Sequence, residues 1–215
     1  VLAAGITISG YEVQQVKVKE KSIPQFQLVK EETESKTSPF DIMETVTLPE
    51  VETQMKEAVV FQMTWVGCPT VYYGDEAGLC GFTDPDNRRT YPWGREDQDL
   101  LAFHREMIRI RKEHPVLRYG STRFLTMEEQ FISYGRFDGR ETILVLMNNA
   151  QEERKVEIPV WMAEVPEEAK LECLMETSET GYSTKNDRYP VRNGILSLTV
   201  PGVCGMVLHI CSYIG

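Results

Sequence analysis

The sequence predicts an α+β fold, in which a helix–strand–helix segment precedes an antiparallel β-sandwich. Apolar residues recur at helical spacing in two stretches before residue 120, and a short apolar run lies between those stretches. After Gly120 the apolar period changes to two, as in half-buried strands. A chain of 215 residues allows one or two domains. We expect an unassigned, partly disordered segment at 1–50, the helix–strand–helix segment at 51–119 and the sandwich at 120–215.

The first fifty residues contain little readable structure. Alternating apolar residues predict short strands at Ile6–Ile8 and Val13–Val18. Residues 30–39 (KEETESKTSP) are polar and charged, which is typical of a solvated tether. The chain begins with Val1 and lacks the charged start of a signal peptide, so a natural N-terminus upstream is compatible with it. We expect a cytoplasmic protein.

The helix–strand–helix segment begins with a helix over about 52–65. Its predicted buried stripe comprises Met55, Ala58, Val59, Gln62 and Met63. Gly67 and Pro69 end the helix, and Thr70–Tyr73 is apolar without alternation, as in a strand buried on both faces. A second helix over 98–113 follows and ends at His114, because a residue before proline avoids helical geometry.

Seven strands are predicted after Gly120, from alternation and from tight-turn residues such as Asp138-Gly139 and Asn193-Gly194. The predicted strands are Arg123–Met127, Gln130–Phe137, Thr142–Met147, Lys155–Val160, Leu171–Met175, Ile195–Val200 and Met206–Ile210. Seven short strands over such a length are typical of a β-sandwich.

Charge and cysteine content exclude several function classes. The 23 Lys and Arg against 33 Asp and Glu give a net charge of −10, which argues against nucleic acid and against an anionic membrane surface. No apolar run reaches the roughly 18 residues that span a bilayer. The five cysteines form an odd set without a C-x-x-C pair, which favours reduced thiols over disulfides. The three histidines are too scattered in sequence to complete a zinc site with those cysteines.

The chemistry concentrates in the loop at 77–94, which follows the predicted buried strand. Asp84 and Arg88 are four residues apart, so they could form a carboxylate–guanidinium pair that grips sugar hydroxyls, or a salt bridge that only holds the loop. Tyr91 and Trp93 could supply an aromatic platform. A calcium site at Asp84-x-Asp86 is disfavoured, because the remaining ligands are misplaced.

No catalytic nucleophile is visible in the chain. Asp75 and Glu76 are adjacent, and adjacent residues on a strand point to opposite faces. They therefore cannot flank one scissile bond as the two carboxylates of a glycosidase do. Ser121 and His104 lie outside any nucleophile-elbow context, and a phosphate-binding glycine-rich loop is absent.

Three consecutive stretches resemble the α-amylase family of glycoside hydrolases. Phe61–Glu76 is similar to the family's seventh helix and eighth strand, with their G-x-P-x-x-Y-Y-G-[DEQ]-E hallmark. The match continues through 81–93 (GFTDPDNRRTYPW) and into the R-K-x-x-P-x-L ending of Ile108–Leu117, which resembles the eighth helix. The neopullulanase, cyclomaltodextrinase and maltogenic amylase group is the most similar. The resemblance implies that 51–119 is the last slice of a (β/α)8 barrel and that the family's β-sandwich domain follows.

The same resemblance implies a parent reaction, the retaining hydrolysis of α-1,4 or α-1,6 glucosidic bonds in maltodextrins or cyclodextrins. The family's Asp nucleophile, Glu acid/base and second essential Asp lie on earlier barrel strands, and none of their motifs is present here. We therefore assign no catalytic residue and expect this chain alone to be inactive.

The resemblance does imply substrate-binding residues. Asp84 and Arg88 match the D-P-x-x-R turn that contacts the glucose unit at the cleavage site in the family. Glu76 matches the mouth of the barrel, and Trp93 is a weaker candidate for sugar stacking. We expect α-glucan oligosaccharides as partners, no cofactor, no metal, no nucleic acid and no membrane; a homo-oligomer stays open.

Two other interpretations stay open beside this one. The β-sandwich could be the working part of a non-catalytic carbohydrate-binding or assembly module. The chain could also be a truncated gene product whose remaining property is the folding of the sandwich.

Overall fold

A computed structural model describes residues 14–16, 25–27, 49–81 and 84–213 of the chain. Two compact units are formed, one from 1–46 together with 71–97 and the other from 47–70 together with 98–215. The second unit contains the helices and the large sheet, and the first contains the described loop at 71–97. No helix in the described part of the chain combines the length and the apolar character needed to cross a membrane.

Both long helices predicted from the sequence are present. Helix α1 is Pro49–Thr64, helix α2 is Gln98–Glu113 and a single further turn, α3, is Val116–Tyr119. Of the predicted stripe on α1, Met55, Val59 and Met63 are buried, whereas Ala58 and Gln62 are half-buried. The buried side of α2 also contains two polar residues, His104 and Arg111, that the apolar pattern does not reveal.

The strands of the second unit confirm all seven predicted segments and add two. They are β3 Ser121–Glu128, β4 Phe131–Phe137, β5 Thr142–Asn148, β6 Arg154–Pro159, β7 Ala169–Ser178, β8 Gly181–Ser183, β9 Arg188–Arg192, β10 Ile195–Val200 and β11 Cys204–Tyr213. The hairpin turns behave as their residues predict, since Asn193 and Gly194 have φ of 50° and 73°.

The described strands of this unit form one antiparallel sheet rather than two stacked sheets. Their order is β3-β4-β5-β11-β7-β9-β10-β6, with β8 pairing onto β7. Glu128 of β3 and Arg154 of β6 form an ion pair at 3.0 Å, so the two ends of the sheet approach each other. The predicted sandwich is thereby corrected to a nearly closed, barrel-like sheet. Alternation reports which side chains face inward, but it does not report whether the sheet closes on itself.

The core lies inside the curved sheet, and α1 covers part of its outer face. Leu144, Leu171 and Leu208 are fully buried members of the inner cluster, and each comes from a different strand. On the outer face Gly205 of β11 leaves room for Val60 of α1, whose Cβ would lie 3.2 Å from a Cβ added at that glycine. The absence of a side chain at Gly205 therefore permits close helix–sheet packing.

Two buried arginines hold the end of α1 and the segment that follows it. Arg136 of β4 is 1% exposed, and it donates to the carbonyls of Thr64 and Leu117 at 2.7 and 3.0 Å. Arg111 of α2 donates to the carbonyls of Met63 and Gly67, both at 2.6 Å. The last carbonyls of a helix have no partner within the helix, so these guanidinium groups satisfy them. Burial lowers the pKa of both arginines.

In the first unit the described strands are short. Strand β1 (Gln14–Val16) pairs antiparallel with β2 (Gln25–Gln27), which confirms part of the strand predicted at Val13–Val18. The strand predicted at Ile6–Ile8 and the tether predicted at 30–39 lie outside the described residues.

The strand predicted at Thr70–Tyr73 is wrong for this structure. The segment has no strand pairing, and the chain turns directly after it, where the Asp75 N–H donates to the carbonyl of Tyr72 at 3.1 Å. An apolar run becomes a buried strand only when neighbouring strands pair with its backbone groups. The helix–strand–helix slice is therefore confirmed in its two helices only.

Candidate functional site

The 71–97 loop is a series of tight turns stabilised by its own backbone. Gly74 has φ of 96°, which favours glycine, and Asp75–Ala77 forms one turn of 3-10 helix after it. The Leu79 N–H then donates back to the Gly74 carbonyl at 2.9 Å. Gly78, with φ of 72°, follows this turn, and the Asp97 N–H donates to the carbonyl of Ala77 at 3.1 Å, which joins the two ends of the loop.

Glu76, a predicted site residue, is engaged by the loop itself. One of its carboxylate oxygens accepts a hydrogen bond from the Gly74 N–H at 2.9 Å, and the residue is half-buried. Its neighbour Asp75 is half-buried as well. Desolvation, and then the charge of Glu76, raise the pKa of Asp75 to about 6. The arrangement assigns Glu76 a contact that shapes the turn.

Asp84 and Arg88 form the carboxylate–guanidinium pair that their spacing predicts. The Arg88 Nε lies 2.9 Å from Asp84 Oδ1, and Arg88 Nη2 donates to Asp84 Oδ2 at 3.0 Å. The contact is therefore bidentate, and a single turn of 3-10 helix at Asp86–Arg88 brings the two residues together. The side chains remain 66% and 61% exposed, so both groups keep donors and acceptors free for a ligand.

A second, less exposed pair lies beside the first. Arg89 donates from Nε and Nη2 to the two carboxylate oxygens of Asp86 at 2.8 and 2.9 Å. The carbonyl of Arg89 accepts from the Tyr73 hydroxyl at 2.8 Å. These contacts join the start of the loop to its centre, and so they fix the backbone that presents Arg88.

Trp93 lies on a small aromatic platform. Its ring centroid is 4.5 Å from that of Tyr91, with an interplanar angle of 51°, and the residue is 81% exposed. The Trp93 N–H donates to the carbonyl of Tyr91 at 2.9 Å, which holds the two residues in a compact turn. An exposed indole fixed by a neighbouring ring offers a flat apolar face to a ligand.

The four predicted residues therefore enter three separate sets of contacts. Asp84 pairs with Arg88, Trp93 with Tyr91, and Glu76 with the backbone of Gly74. Such a loop can hydrogen-bond to polyhydroxylated ligands and stack against them. The carboxylates of Asp84, Asp86 and Glu76 are each already engaged in these loop contacts.

Sequence reasoning missed two further residues of this loop. Tyr72 is exposed and lies within electrostatic range of Asp84 and Arg88, so its ring belongs to the same surface. The Tyr72-Tyr73 pair of the matched family motif is the sequence feature that could have identified Tyr72. The Asn87 Oδ1 atom is buried without a hydrogen-bond partner among the described residues, and only the backbone geometry reveals that.

One thiol, that of Cys80, lies in the 71–97 loop, and the other described thiols and the histidines lie outside it. Among the described residues Cys68, Cys80, Cys173 and Cys204 have free thiols. Two of the three histidines nevertheless share a cluster with a carboxylate. His114 and His209 meet around Glu141, with their ligand atoms within 4.8 Å of one another. Sequence separation does not report this proximity, because a helix end and two strands create it.

Comparison with known proteins gives a consistent group of relatives. The chain is 48% identical over 100 residues to a cyclomaltodextrinase from a Bacillus species, which covers 45% of this chain and 18% of that protein. It is 34% identical over 164 residues to neopullulanase 2 from Thermoactinomyces vulgaris, covering 73% of this chain and 26% of the relative. A solved structure of a cyclomaltodextrinase superposes with a TM-score of 0.57 at 32% identity, over 73% of this chain and 26% of the other.

These matches span only a part of each relative. The chain covers 18% and 26% of the two curated proteins named above, so most of their length has no counterpart here. No family model matches the chain.

Proposed function

We propose that this chain, which belongs to the α-amylase family of glycoside hydrolases, carries the α-glucan-contacting loop of an enzyme of the cyclomaltodextrinase and neopullulanase type. The single observation that carries the proposal is the exposed bidentate pair of Asp84 and Arg88. A pair that contributes little to folding yet is held in place by the loop is well suited to bind a ligand.

The chemistry of the 71–97 loop favours a neutral sugar as that ligand. Asp84 can accept hydrogen bonds from sugar hydroxyls, and Arg88 can donate to hydroxyl and ring oxygens. Trp93 offers a flat face for the apolar side of a glucose ring. The excess of acidic residues in the chain disfavours a phosphorylated or anionic ligand, so maltodextrins and cyclodextrins are the proposed substrates.

The parent reaction that we propose is retaining hydrolysis of α-glucosidic bonds. That reaction needs two carboxyl groups about 5 Å apart, one as nucleophile and one as acid/base. In the loop Asp84 and Asp86 are each bound to an arginine and Glu76 to a backbone N–H. We therefore assign the loop to substrate contact, and we propose that these 215 residues alone do not hydrolyse glucans.

We also propose that α1, Thr70–Tyr73 and α2 correspond to the last helix–strand–helix unit of the family's (β/α)8 barrel, ahead of a β domain at 120–215. The apolar, unalternated sequence of Thr70–Tyr73 supports this assignment, because barrel strands are buried on both faces. In a complete barrel those four residues would have strands on either side with which to pair.

Binding and hydrolysis can be tested on the same purified chain. Titration with maltoheptaose should give weak saturable binding, with a dissociation constant on the order of 1 mM, because few groups contact the sugar. Asp84→Asn and Arg88→Gln should each weaken that binding by about 10-fold. The matched control is Glu113→Gln, which removes an ion pair with Arg109 on α2 whose side chains are 53% and 49% exposed. Binding that survives both loop variants would reject the proposed contact.

The hydrolysis test uses maltotriose and β-cyclodextrin with detection of reducing sugar. We expect no product above the buffer blank. Product that appears, and that persists in the Asp84→Asn and Arg88→Gln variants, would require a catalytic pair elsewhere in the chain.

A second candidate function is carbohydrate binding by the sheet unit, and the observation that favours it is the exposure of Trp161. Trp161 is 58% exposed on the 3-10 helix at Val160–Ala163, and its Cβ and ring lie close to Gly194. An exposed indole supported by the backbone beneath it is a second possible stacking face. Trp161→Ala should abolish maltoheptaose binding if this role is the working one, whereas Trp93→Ala should abolish it under the first proposal.

A further inference from the structure

We propose that His114, Glu141 and His209 form a binding site for a divalent transition-metal cation such as zinc. His114 directly follows α2, Glu141 directly precedes β5 and His209 lies within β11, and the three are separated by 27 and 68 positions in sequence. Two imidazoles and one carboxylate are a ligand set that zinc uses in proteins.

The three ligand atoms lie within 4.8 Å of one another, so shifts of about 1–1.5 Å would let them surround a cation. His114 Nδ1 lies 2.5 Å from Glu141 Oε1, and His209 Nε2 lies 3.3 Å from the same oxygen. Ligand atoms around a tetrahedral zinc, each about 2.0–2.2 Å from the metal, lie roughly 3.3 Å apart. The His209 distance already matches, and the His114 contact would lengthen by about 1 Å as the metal replaces the hydrogen bond.

The backbone presents the three ligands from well-fixed elements. His209 is paired across the sheet with Ile143 of β5 and with Glu172 of β7. Glu141 precedes β5, and the Asp138 carboxylate organises its turn by accepting from the backbone N–H groups of Arg140 and Glu141. Ligands on rigid elements bind a metal with a small loss of conformational entropy.

The surroundings also suit a metal. The Val116 N–H donates to Glu141 Oε2 at 3.4 Å, which orients the carboxylate and leaves Oε1 directed at both imidazoles. Glu172 is the cross-strand neighbour of His209 and lies within its electrostatic range, so a water or this carboxylate could complete the coordination. The side chains of His114, Glu141 and His209 are 15%, 19% and 26% exposed, which leaves a path for the ion.

The probe is Zn²⁺ itself, titrated into the full chain, with Mg²⁺ as the hard-cation control that imidazoles do not favour. Because Cys68 and Cys80 are exposed thiols that could capture zinc, every sample carries Cys68→Ser and Cys80→Ser. We expect one zinc per chain with a dissociation constant of about 1 µM or tighter. Glu141→Gln should weaken it by about 10-fold or more, since an amide still accepts the histidine hydrogen bond but is a poor zinc ligand.

The chain contains an internal control for this experiment. His104 is buried, and its Nδ1 lies 2.9 Å from the carbonyl of Leu100, whereas His114 and His209 are in the cluster. With only three histidines, their imidazole NMR signals can be followed individually in the unvaried cluster. Zinc should shift the signals of His114 and His209 and leave those of His104 in place.

Several outcomes would overturn the proposal. One is the absence of zinc binding at one ion per chain. Another is binding that leaves the His114 and His209 signals unmoved, and a third is binding that persists in Glu141→Gln. If Glu141→Gln does not fold, the NMR titration of the intact cluster still decides the question.

Discussion

The 71–97 loop and the helix–sheet unit use the same guanidinium group in opposite environments. In the loop Arg88 is paired with a carboxylate and is largely exposed to solvent. In the sheet unit Arg136 is buried and donates to the carbonyls of four separate residues, Thr64, Leu117, Gly120 and Ser121. Removing an exposed ion pair costs little, whereas removing a buried donor leaves several backbone acceptors without partners. Buried Arg136 therefore stabilises the fold, whereas exposed Arg88 is available to a ligand.

The largest expected effect is at Arg136. Arg136→Met keeps much of the side-chain volume but removes all the donors, so we expect the free energy of unfolding to fall by about 3 kcal/mol or more. Denaturant unfolding monitored by circular dichroism measures this loss. Arg118→Met is the control, because Arg118 is exposed and stacks on Tyr119. If Arg136→Met lowered the free energy of unfolding no more than Arg118→Met does, the buried arginine would stabilise the fold no more than an exposed one.

The buried carboxyl of Glu57 should make the stability of the sheet unit depend on pH. Burial raises the pKa of Glu57 from 4.5 to about 7. Between these values the folded chain binds more protons than the unfolded chain, so the free energy of unfolding falls as the pH rises from about 4.5 to about 7. The decline is on the order of 3 kcal/mol. Glu57→Gln should remove this part of the decline, and Glu153→Gln, at an exposed site, should retain it.

The outcome that contradicts this account is an unchanged pH profile in Glu57→Gln. Asp75 in the loop also has a raised pKa, about 6. The pH range over which its protonation affects stability therefore ends about one pH unit below that of Glu57. Unfolding curves at pH 6.5 and 8, compared between the parent chain and Glu57→Gln, therefore isolate the contribution of Glu57.

A smaller effect is expected at the turn between β9 and β10. Gly194 has φ of 73°, and a Cβ there would lie 3.1 Å from the Cβ of Trp161. Gly194→Ala should therefore cost about 1–2 kcal/mol, from backbone strain together with the contact. Gly139→Ala has similar strain, with φ of 79°, but the added Cβ would meet only the Glu164 carboxylate, at 4.0 Å. Equal losses of stability in the two variants would show that the Trp161 contact contributes nothing.

The smallest stability effect is expected at the loop pair. Asp84→Asn and Arg88→Gln should each change the free energy of unfolding by about 0.5 kcal/mol or less, because exposed pairs contribute little. Thermal unfolding measures this change. A loss comparable to that of Arg136→Met would mean that the pair holds the loop together, which is the structural alternative to ligand binding.

The local pattern of the chain predicted its elements well where burial has a fixed period. All seven predicted strands are present, because strands such as Ile195–Val200 alternate between inward and outward side chains. The two missed strands have short or irregular patterns: Gly181–Ser183 has three residues, and Arg188–Arg192 contains Pro190.

The features that the sequence did not predict depend on contacts between residues far apart in the chain. The apolar run at Thr70–Tyr73 is suited to a strand, but a strand also needs neighbours that pair with it. Arg136 is a charged residue on a strand, and only the packed helix end explains its burial. The spacing of Asp84 and Arg88, by contrast, was enough to predict their pairing, because residues four apart in a single turn are already close.

Contact between the 71–97 loop and an α-glucan can be observed by NMR of the three tryptophan indoles during titration with maltoheptaose. Trp93 is exposed in the loop, and Trp161 is exposed on the sheet unit. Trp65 is the internal control, because its ring centroid lies 4.9 Å from that of Phe61 and 5.2 Å from that of Tyr134. We predict a saturable shift of the Trp93 signal that is lost in Arg88→Gln, with Trp65 and Trp161 unmoved. A shift confined to Trp161, or no shift of the Trp93 signal at saturating sugar, would contradict contact between the loop and the glucan.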